Sequence, residues 1–366
     1  MVMLMKAKIT LKIVFMVLLL LLTACSKTPK QEYGKYSKSF FDAFDTMTQV
    51  IAYTKSEEEF NKYYEQIHTR FLELHRLYDI YNNYPGINNI KTINDNAGIK
   101  PVEVEQEIID LILFAKDWHE RTAGRVNIAM GAVLSIWHDY RTKAIDFPEE
   151  AELPPMEKLK AAARHTDLDK VIVDTEKNTV YLTDKNMRLD VGAIAKGFAT
   201  EIVVQEVKAA GLTSAIISAG GNIRTIGTPL DGVRAKWSIG IQDPNESIIS
   251  ENGVLETVFV SDASVVSSGD YQRYFIYDGK KYHHIIDPDT LMPGKYYRAV
   301  TVVTEDAGLA DLMSTELFLL PFTESLALAE KIGVEALWVM PDGSVKTTEG
   351  LKAIMKSEGA TNSLKK

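Results

Sequence analysis

The stretch "ADLMSTELF", Ala310 to Phe318, sets the Asp311 carboxylate and the Thr315 hydroxyl four residues apart, one turn apart on the same face of a helix. Carboxylate and hydroxyl oxygens are hard ligands, suited to Mg²⁺, which keeps several waters and takes phosphate oxygens. Ser314 places a second hydroxyl beside them. The same spacing also describes a polar helix face whose Thr bonds back to its own helix. A second stretch, "LDVGAIAKGFATE" from Leu189 to Glu201, puts Asp190 and Gly192 ahead of a helix that carries Lys196 in its first turns. The free N–H groups of a helix start, with a lysine nearby, can hold a phosphate. It is no P-loop, which needs a wider glycine spacing and Ser or Thr after the lysine. A capped amphipathic helix with a surface lysine shares the pattern.

Two further stretches carry chemistry. In "SAGGNIRTIG" the pair Gly220-Gly221 follows an apolar strand, where paired glycines serve either a structural turn or the close approach of a ligand to backbone. In "DGKKYHHIIDPDT" His283 and His284 are the only adjacent pair among seven histidines. Successive residues of a strand point to opposite faces, so the two rings cannot share one metal ion. A histidine facing a cleft suits a proton acceptor; a buried, hydrogen-bonded histidine suits the core. Asp287-Pro288 then opens a turn.

The elements that would position these residues follow from periodicity. Phe40 to Thr54 reads as a strand, and Glu57 to Tyr81 as a helix with Phe60, Tyr63, Tyr64, Ile67, Phe71, Leu74 and Leu77 on one stripe. A Asn/Pro/Gly-rich loop follows, then helices near Glu103–Thr122 and after Gly124. An acidic, Pro-containing connector spans Asp139–Pro155 and a short helix Met156–His165. From Lys170 strands dominate, broken by helices at 192–211, 307–320 and 323–333 and closed by a hairpin in "ALWVMPDGSVKTTEG". Helices and antiparallel-looking strands mix without a βαβ cadence, so the expected fold class is α+β, one intertwined unit over 40–355 with a polar tail at 356–366.

Composition narrows the function. The 366-residue chain is 46% hydrophobic and 25% charged, a folded globular mix. Its formal charge of −9, with no basic block, argues against nucleic acid as a partner. One cysteine rules out an internal disulfide. That cysteine, Cys25, closes "LTAC" after the basic Lys6, Lys8 and Lys12 and the short apolar run Ile13–Leu22. This is the pattern of a lipoprotein signal over residues 1–24, with Cys25 lipidated and residues 25–39 as a polar tether. The apolar run is short for a membrane span. Cleavage removes three lysines and no acids, so anchoring would rest on acyl chains rather than on charge. The expected location is the outer face of the cell membrane.

Taken together and in order, "LDVGAIAKGFA", "SAGGNIRTIG", "WSIGIQDP", "SSGDYQRYF", "DGKKYHHIIDPDT" and "ADLMSTELF" resemble the ApbE family of FAD:protein FMN transferases. Weaker matches are "FDTMTQV", "YDIYNNYPGINNIKTIN" and "GRVNIAMGAVLSIW". The resemblance implies a single T-fold-related catalytic unit. It implies phosphoryl transfer, with FAD split at its diphosphate, FMN joined by a phosphoester to a Thr or Ser hydroxyl of a target protein, and AMP released. The implied targets are subunits of membrane redox complexes of the Rnf or sodium-pumping NADH:quinone reductase type. By motif match the metal, Mg²⁺ or Mn²⁺, would be held by Asp311, Thr315 and the backbone carbonyl of Ala193, with Ser314 beside them. FAD would meet Met47, Tyr81, Arg125, Val126, Asn127, Asp190, Lys196, His284 and Ile285. His284 is the candidate proton acceptor and Asp190 the fallback. Three positions depart from the family pattern: Asp45 where Gly is frequent, Asn127 where Asp is common, and Leu291 where Gly usually follows Thr290. The same site could instead hydrolyse FAD to FMN and AMP, or a non-enzymatic lipoprotein could simply hold flavin.

Overall fold

The strand-forming runs collect into one main antiparallel sheet, covered on both faces, and three small sheets of two or three strands. The computed structural model describes residues 32–246, 250 and 253–364. The signal segment, Cys25 and the first part of the tether lie outside the described residues. A hairpin of β1 (Gly34–Ala43) and β2 (Thr46–Thr54) leads into α1 (Glu57–Tyr78), α2 (Ile90–Asp95), β3 (Val102–Glu103), α3 (Gln106–Arg121), α4 (Gly131–Asp146) and α5 (Met156–Ala163). Next come β4 (Val171–Asp174), β5 (Thr179–Leu182), α6 (Ala195–Ala209), β6 (Ala215–Ala219), β7 (Asn222–Ile226), β8 (Trp237–Gln242), β9 (Val254–Val260) and β10 (Ser264–Gly269). The chain ends with β11 (Tyr274–Tyr277), β12 (Lys280–His283), β13 (Ala299–Thr304), α7 (Ala307–Phe318), α8 (Phe322–Ile332), β14 (Glu335–Val339), β15 (Val345–Thr347) and α9 (Glu349–Lys352).

The main sheet has eight strands in the order β1-β2-β6-β7-β10-β13-β14-β15, and every pairing is antiparallel. Side chains alternate between two cores, as the pleat requires. Val300, Val302, Ala336 and Trp338 join the core shared with α1, α6 and α7. Ala299, Val303, Leu337 and Val339 point the other way, against Trp237, Ile239 and Val258 of the β8–β9 hairpin. Burial on both faces explains why these strands read as nearly unbroken apolar runs. A third core joins α4 and α5 to Phe275, Ile286 and Leu291 around the β11–β12 hairpin.

The fold is α+β, as expected, but several boundaries differ. The segment read as one strand at Phe40–Thr54 is the second part of a hairpin that begins at Gly34, inside the segment read as tether. Phe44 and Asp45 turn it with φ of 55° and 49°, the paired left-handed geometry that suits strand twist. The Asn-rich loop contains α2, capped by a reciprocal Asn89–Thr92 box. The acidic connector is largely helical, because α4 runs on to Asp146. The polar tail docks: Ala235 N–H donates to the Asn362 carbonyl (2.7 Å) and Leu364 N–H to that of Val233 (3.1 Å). Each difference arises where capping or long-range pairing outweighs polar composition.

The closest approach in the helical layer is α6 on α7. A Cβ added at Gly197 would overlap the Ala307 carbonyl oxygen and the Asp311 Cβ, so only glycine lets these backbones meet. Gly197→Ala gains helix propensity of about 1 kcal/mol, yet forces apart packed backbone, which costs about 1–3 kcal/mol. We expect a net loss of stability, read as a lower denaturant midpoint with an unchanged m-value. A midpoint at or above that of the native chain would show that the helices separate freely.

Candidate active site

The α6–α7 contact creates a polar floor. The first four N–H groups of a helix have no partner within it. At the start of α6 one of them, Gly197 N–H, donates to Oδ2 of the buried Asp311 (2.8 Å). The loop ahead of α6 is equally constrained. Asp190 N–H donates to the Ile128 carbonyl (2.8 Å) and its Oδ1 accepts from Gly192 N–H (2.9 Å). Asn94 grips both sides of Leu189, accepting its N–H (2.7 Å) and donating to its carbonyl (3.0 Å). Asn94 lies on α2, so the helix hidden in the Asn-rich stretch holds the Asp190 loop in place.

Above this floor opens a cavity of about 540 Å³. Its walls come from the β6–β7 turn at Gly220, the end of β10 at Ser267–Gly269, the Arg273 loop, His284–Ile286, α4, and the loops at Tyr81 and Arg125–Asn127. Gly220 has φ of +58°, and a Cβ there would strike the Thr46 hydroxyl. Gly220 therefore serves a close approach to Thr46 at the cavity wall, whereas Gly221 is favoured by its φ of +92° alone.

Most of the residues expected at the site meet in this cavity. Asp311, Thr315, Ala193, Lys196, Asp190, His284, Ile285, Tyr81, Arg125, Val126 and Asn127 all line it. Two do not. Met47 is 48% exposed and stands outside the wall, where its neighbour Thr46 faces inward. Ser314 is fully buried: its hydroxyl donates to the Asp311 carbonyl (2.9 Å) and meets Ser268 Oγ at 2.8 Å. Ser268 Oγ also lies 3.1 Å from Thr315 Oγ1, so Ser314 braces the hydroxyl set from behind instead of facing the cavity. The adjacent histidines separate as strand geometry demands. His283 is buried, packs edge-on to Phe318 and meets the Gly294 carbonyl through Nε2 (2.8 Å). The His284 ring faces the cavity, with Nδ1 3.3 Å from the Arg273 carbonyl. Because a carbonyl only accepts, Nδ1 carries the proton and Nε2 is left with its lone pair.

Sequence reasoning passed over several residues here. Glu316 is fully buried and gathers the Arg125 loop: Oε1 accepts from Ala123 and Arg125 N–H (3.0 and 3.1 Å), and Oε2 from Val126 N–H (2.7 Å). It sits next to Thr315 in the motif, so one helix turn supplies both a cavity hydroxyl and the anchor of a cavity loop. Asn127 spends its amide on the Thr166 carbonyl (2.9 Å) and the Ala129 N–H (2.8 Å), which makes it a turn-former. Arg141, on the part of α4 mistaken for connector, and Arg273, within "SSGDYQRYF", both line the cavity. His138 packs on Tyr81 with ring centroids 5.3 Å apart.

The electrostatics follow from burial. Burial pushes the Asp311 carboxyl above its ordinary range, partly offset by the Lys196 charge and the Gly197 N–H. Burial likewise raises Asp190, offset by Gly192 N–H and by the charges of Arg273, His138 and Arg141. His284 is held well below its ordinary 6.5, by burial first and then by the charges of Arg273, His283, Arg141 and Lys196. A neutral ring with a free Nε2 can accept a proton.

Residues 44–338 match the model of the ApbE family. The chain belongs to the ApbE family. An FAD:protein FMN transferase of Treponema pallidum (strain Nichols) is 34% identical over 275 residues, covering 72% of this chain and 73% of its own length. One from Klebsiella pneumoniae (strain 342) is 31% identical over 252 residues, covering 68% and 74%. The crystal structure of the ApbE protein from Thermotoga maritima superposes with a TM-score of 0.77 at 27% identity, over 88% of this chain and 99% of that one. Two of the positions read as departures adopt backbone that favours glycine. Asp45 and Leu291 stand with φ of 49° and 60°, in the left-handed region that glycine occupies without strain. Leu291 is held there by its buried side chain and by Trp137 Nε1–H donating to its carbonyl (2.9 Å).

The depressed His284 gives a signed expectation. The unfolded chain takes up this proton near pH 6.5 and the folded chain only well below that. The stabilisation is therefore present above about 6.5 and is lost as pH falls toward the folded value. His284→Gln should lose less stability than the native chain between about pH 6.5 and 5. Parallel stability curves for the two proteins over that interval would mean that His284 protonates freely in the fold.

Proposed function

We propose that this chain transfers FMN from FAD to a Thr or Ser hydroxyl of a partner protein, forming a phosphoester and releasing AMP with the help of a divalent metal. The observation that carries the reading is the floor. A buried carboxylate, Asp311, is tied to the start of α6 beside Lys196, and a neutral His284 lines the same cavity. The reaction breaks the bond from the FMN phosphorus to the bridging oxygen, which departs as a phosphate oxygen of AMP, and forms one P–O bond from that phosphorus to the incoming hydroxyl oxygen. His284 Nε2 takes the hydroxyl proton, and the electron pair of the broken bond leaves with AMP.

The donor chemistry fits a metal. Asp311, the Thr315 hydroxyl and the backbone carbonyl of Ala193 offer only hard oxygens, and among the described residues no group of three or more His, Cys, Asp or Glu could form a protein-only metal cage. A set with one carboxylate suits Mg²⁺, whose remaining positions are filled by water and substrate phosphate. Bound there, the metal would supply charge neutralisation to the diphosphate. Lys196 adds a fixed positive charge, and Glu316 keeps the Arg125–Val126 wall in register. Tyr81, 56% exposed at the rim and packed at a tilt on His138, offers a platform to a flavin or adenine ring.

The proposed setting is the outer face of the membrane, with lipidated Cys25 as anchor and flavin-carrying subunits of membrane redox complexes as acceptors. Because β1 already begins at Gly34, the leash from Cys25 spans at most about 30 Å even fully extended.

Mass spectrometry of an acceptor subunit co-expressed with the full chain should find an added FMN. Free FMN and AMP with an unmodified acceptor would instead mark a hydrolase, and FAD bound but uncleaved a flavin carrier. Asp311→Asn keeps the shape and the Gly197 contact but removes the only negative charge of the proposed ligand set. We expect transfer to fall by about 10²-fold or more at fixed Mg²⁺, and unchanged metal dependence would move the metal elsewhere. His284→Ala should lower turnover by about 10²–10⁴-fold while FAD affinity changes little. Loss of binding in place of turnover would make His284 a packing residue.

A further inference from the structure

The cavity treats its three arginines unequally. Arg125 is engaged by Asp289 and, at 3.6 Å, by Asp287. Arg141 and Arg273 line the same cavity, yet among the described residues neither has a carboxylate within 4.0 Å. The one hydrogen bond of the Arg141 guanidinium is to Nδ1 of His138, at 3.2 Å. Arg273 is held through its backbone, its carbonyl accepting from His284 N–H (3.1 Å) and meeting the His284 ring. Its guanidinium makes no hydrogen bond among the described residues.

Two guanidinium groups on one cavity repel each other, and with no carboxylate within 4.0 Å the Asp190 charge, which both feel, offsets that repulsion only at longer range. Burial and the Arg273 charge both push Arg141 down from its ordinary value. Such an arrangement persists where an anion completes it, and the planar fork of arginine matches phosphate oxygens. Hydrogen bonds show what the pair borders. Arg141 is bonded to His138, which packs on Tyr81, and the Arg273 backbone is bonded to His284. Arg141 thus borders the Tyr81–His138 rings and Arg273 adjoins His284.

We propose that Arg141 and Arg273 form an anion clamp that grips a phosphate of the diphosphate-bearing substrate beside the Tyr81–His138 ring pair. The proposal rests on the flavin-transfer reading for the identity of that substrate, though the clamp itself requires only a phosphate anion.

The probe is inorganic pyrophosphate, titrated calorimetrically into the full chain without added metal or flavin. Arg141→Gln and Arg273→Gln should each weaken pyrophosphate about tenfold and Arg141→Lys less, while Arg121→Gln on the outer surface leaves it unchanged. Without ligand both cavity variants should melt at or above the native temperature, because one repelling charge is gone, and the rise in melting temperature on adding pyrophosphate should shrink. Native affinity for pyrophosphate in both variants, or no binding by the native chain, would overturn the clamp. So would a ligand-free melting temperature lowered in both, the mark of a structural role. Flavin transfer is scored separately. Arginine-dependent pyrophosphate binding without transfer to any acceptor keeps the clamp and sinks the flavin reading. Transfer with pyrophosphate affinity indifferent to both arginines does the reverse.

Discussion

The bond from Gly197 N–H to the Asp311 carboxylate organises this molecule. A buried carboxylate is costly unless it is bonded, and a helix start is a ready source of unpaired N–H groups and partial positive charge. Joining them requires α6 and α7 to touch backbone to backbone, which a glycine at 197 permits. That contact fixes the two helices against the sheet, turns Lys196 toward the carboxylate and brings Thr315, a turn further along α7, to the same cavity. Glu316 then reaches past the helix to hold the Arg125 loop. One short helix therefore supplies floor, hydroxyl and wall.

Away from the cavity the protein neutralises its buried charges. Arg224 is 1% exposed and pairs with Glu201, and Arg70 meets Glu73, Glu107 and Glu206. Inside the cavity that rule lapses: Lys196, Arg141 and Arg273 have no carboxylate within 4.0 Å among the described residues, and Asp190 and Asp311 are raised by burial. Local inconsistencies of this kind gather where a protein does its work, held in place by a consistent scaffold. Charges preorganised for a ligand need little rearrangement when it arrives, which is the source of their effect on binding and on phosphoryl transfer. The left-handed Leu291 belongs to the same class, a strained position kept in place by the packing around its buried side chain.

The histidine pair shows how backbone geometry divides two identical side chains. The ring of His283 is spent on the core, between the Gly294 carbonyl and Phe318. One residue later the strand ends, and His284 turns to the cavity with its proton committed to the Arg273 carbonyl. The carbonyl thereby selects the tautomer, and burial, aided by the surrounding cations, keeps the ring neutral. Position along the strand, more than residue type, separates a structural histidine from a proton acceptor.

Much of this was legible in the order of residues alone. The apolar stripe of α1, the alternating strands after Lys170, the one-turn spacing of Asp311 and Thr315, and the opposed faces of His283 and His284 are local patterns. Periodicity and sterics act over a few residues, so sequence determines them directly. Six ordered motifs also identify the family. What the sequence left open were relations between distant residues. That α2 exists to hold Leu189 through Asn94, that Glu316 binds backbone almost two hundred positions away in the chain, and that Ser314 faces Ser268 instead of the cavity depend on which elements pack together. Arg141 read as connector, because its helix is defined by the third core and not by its own composition. Whether a charged side chain finds a partner is a property of the assembled cavity, since pairing depends on distances that only tertiary contacts establish.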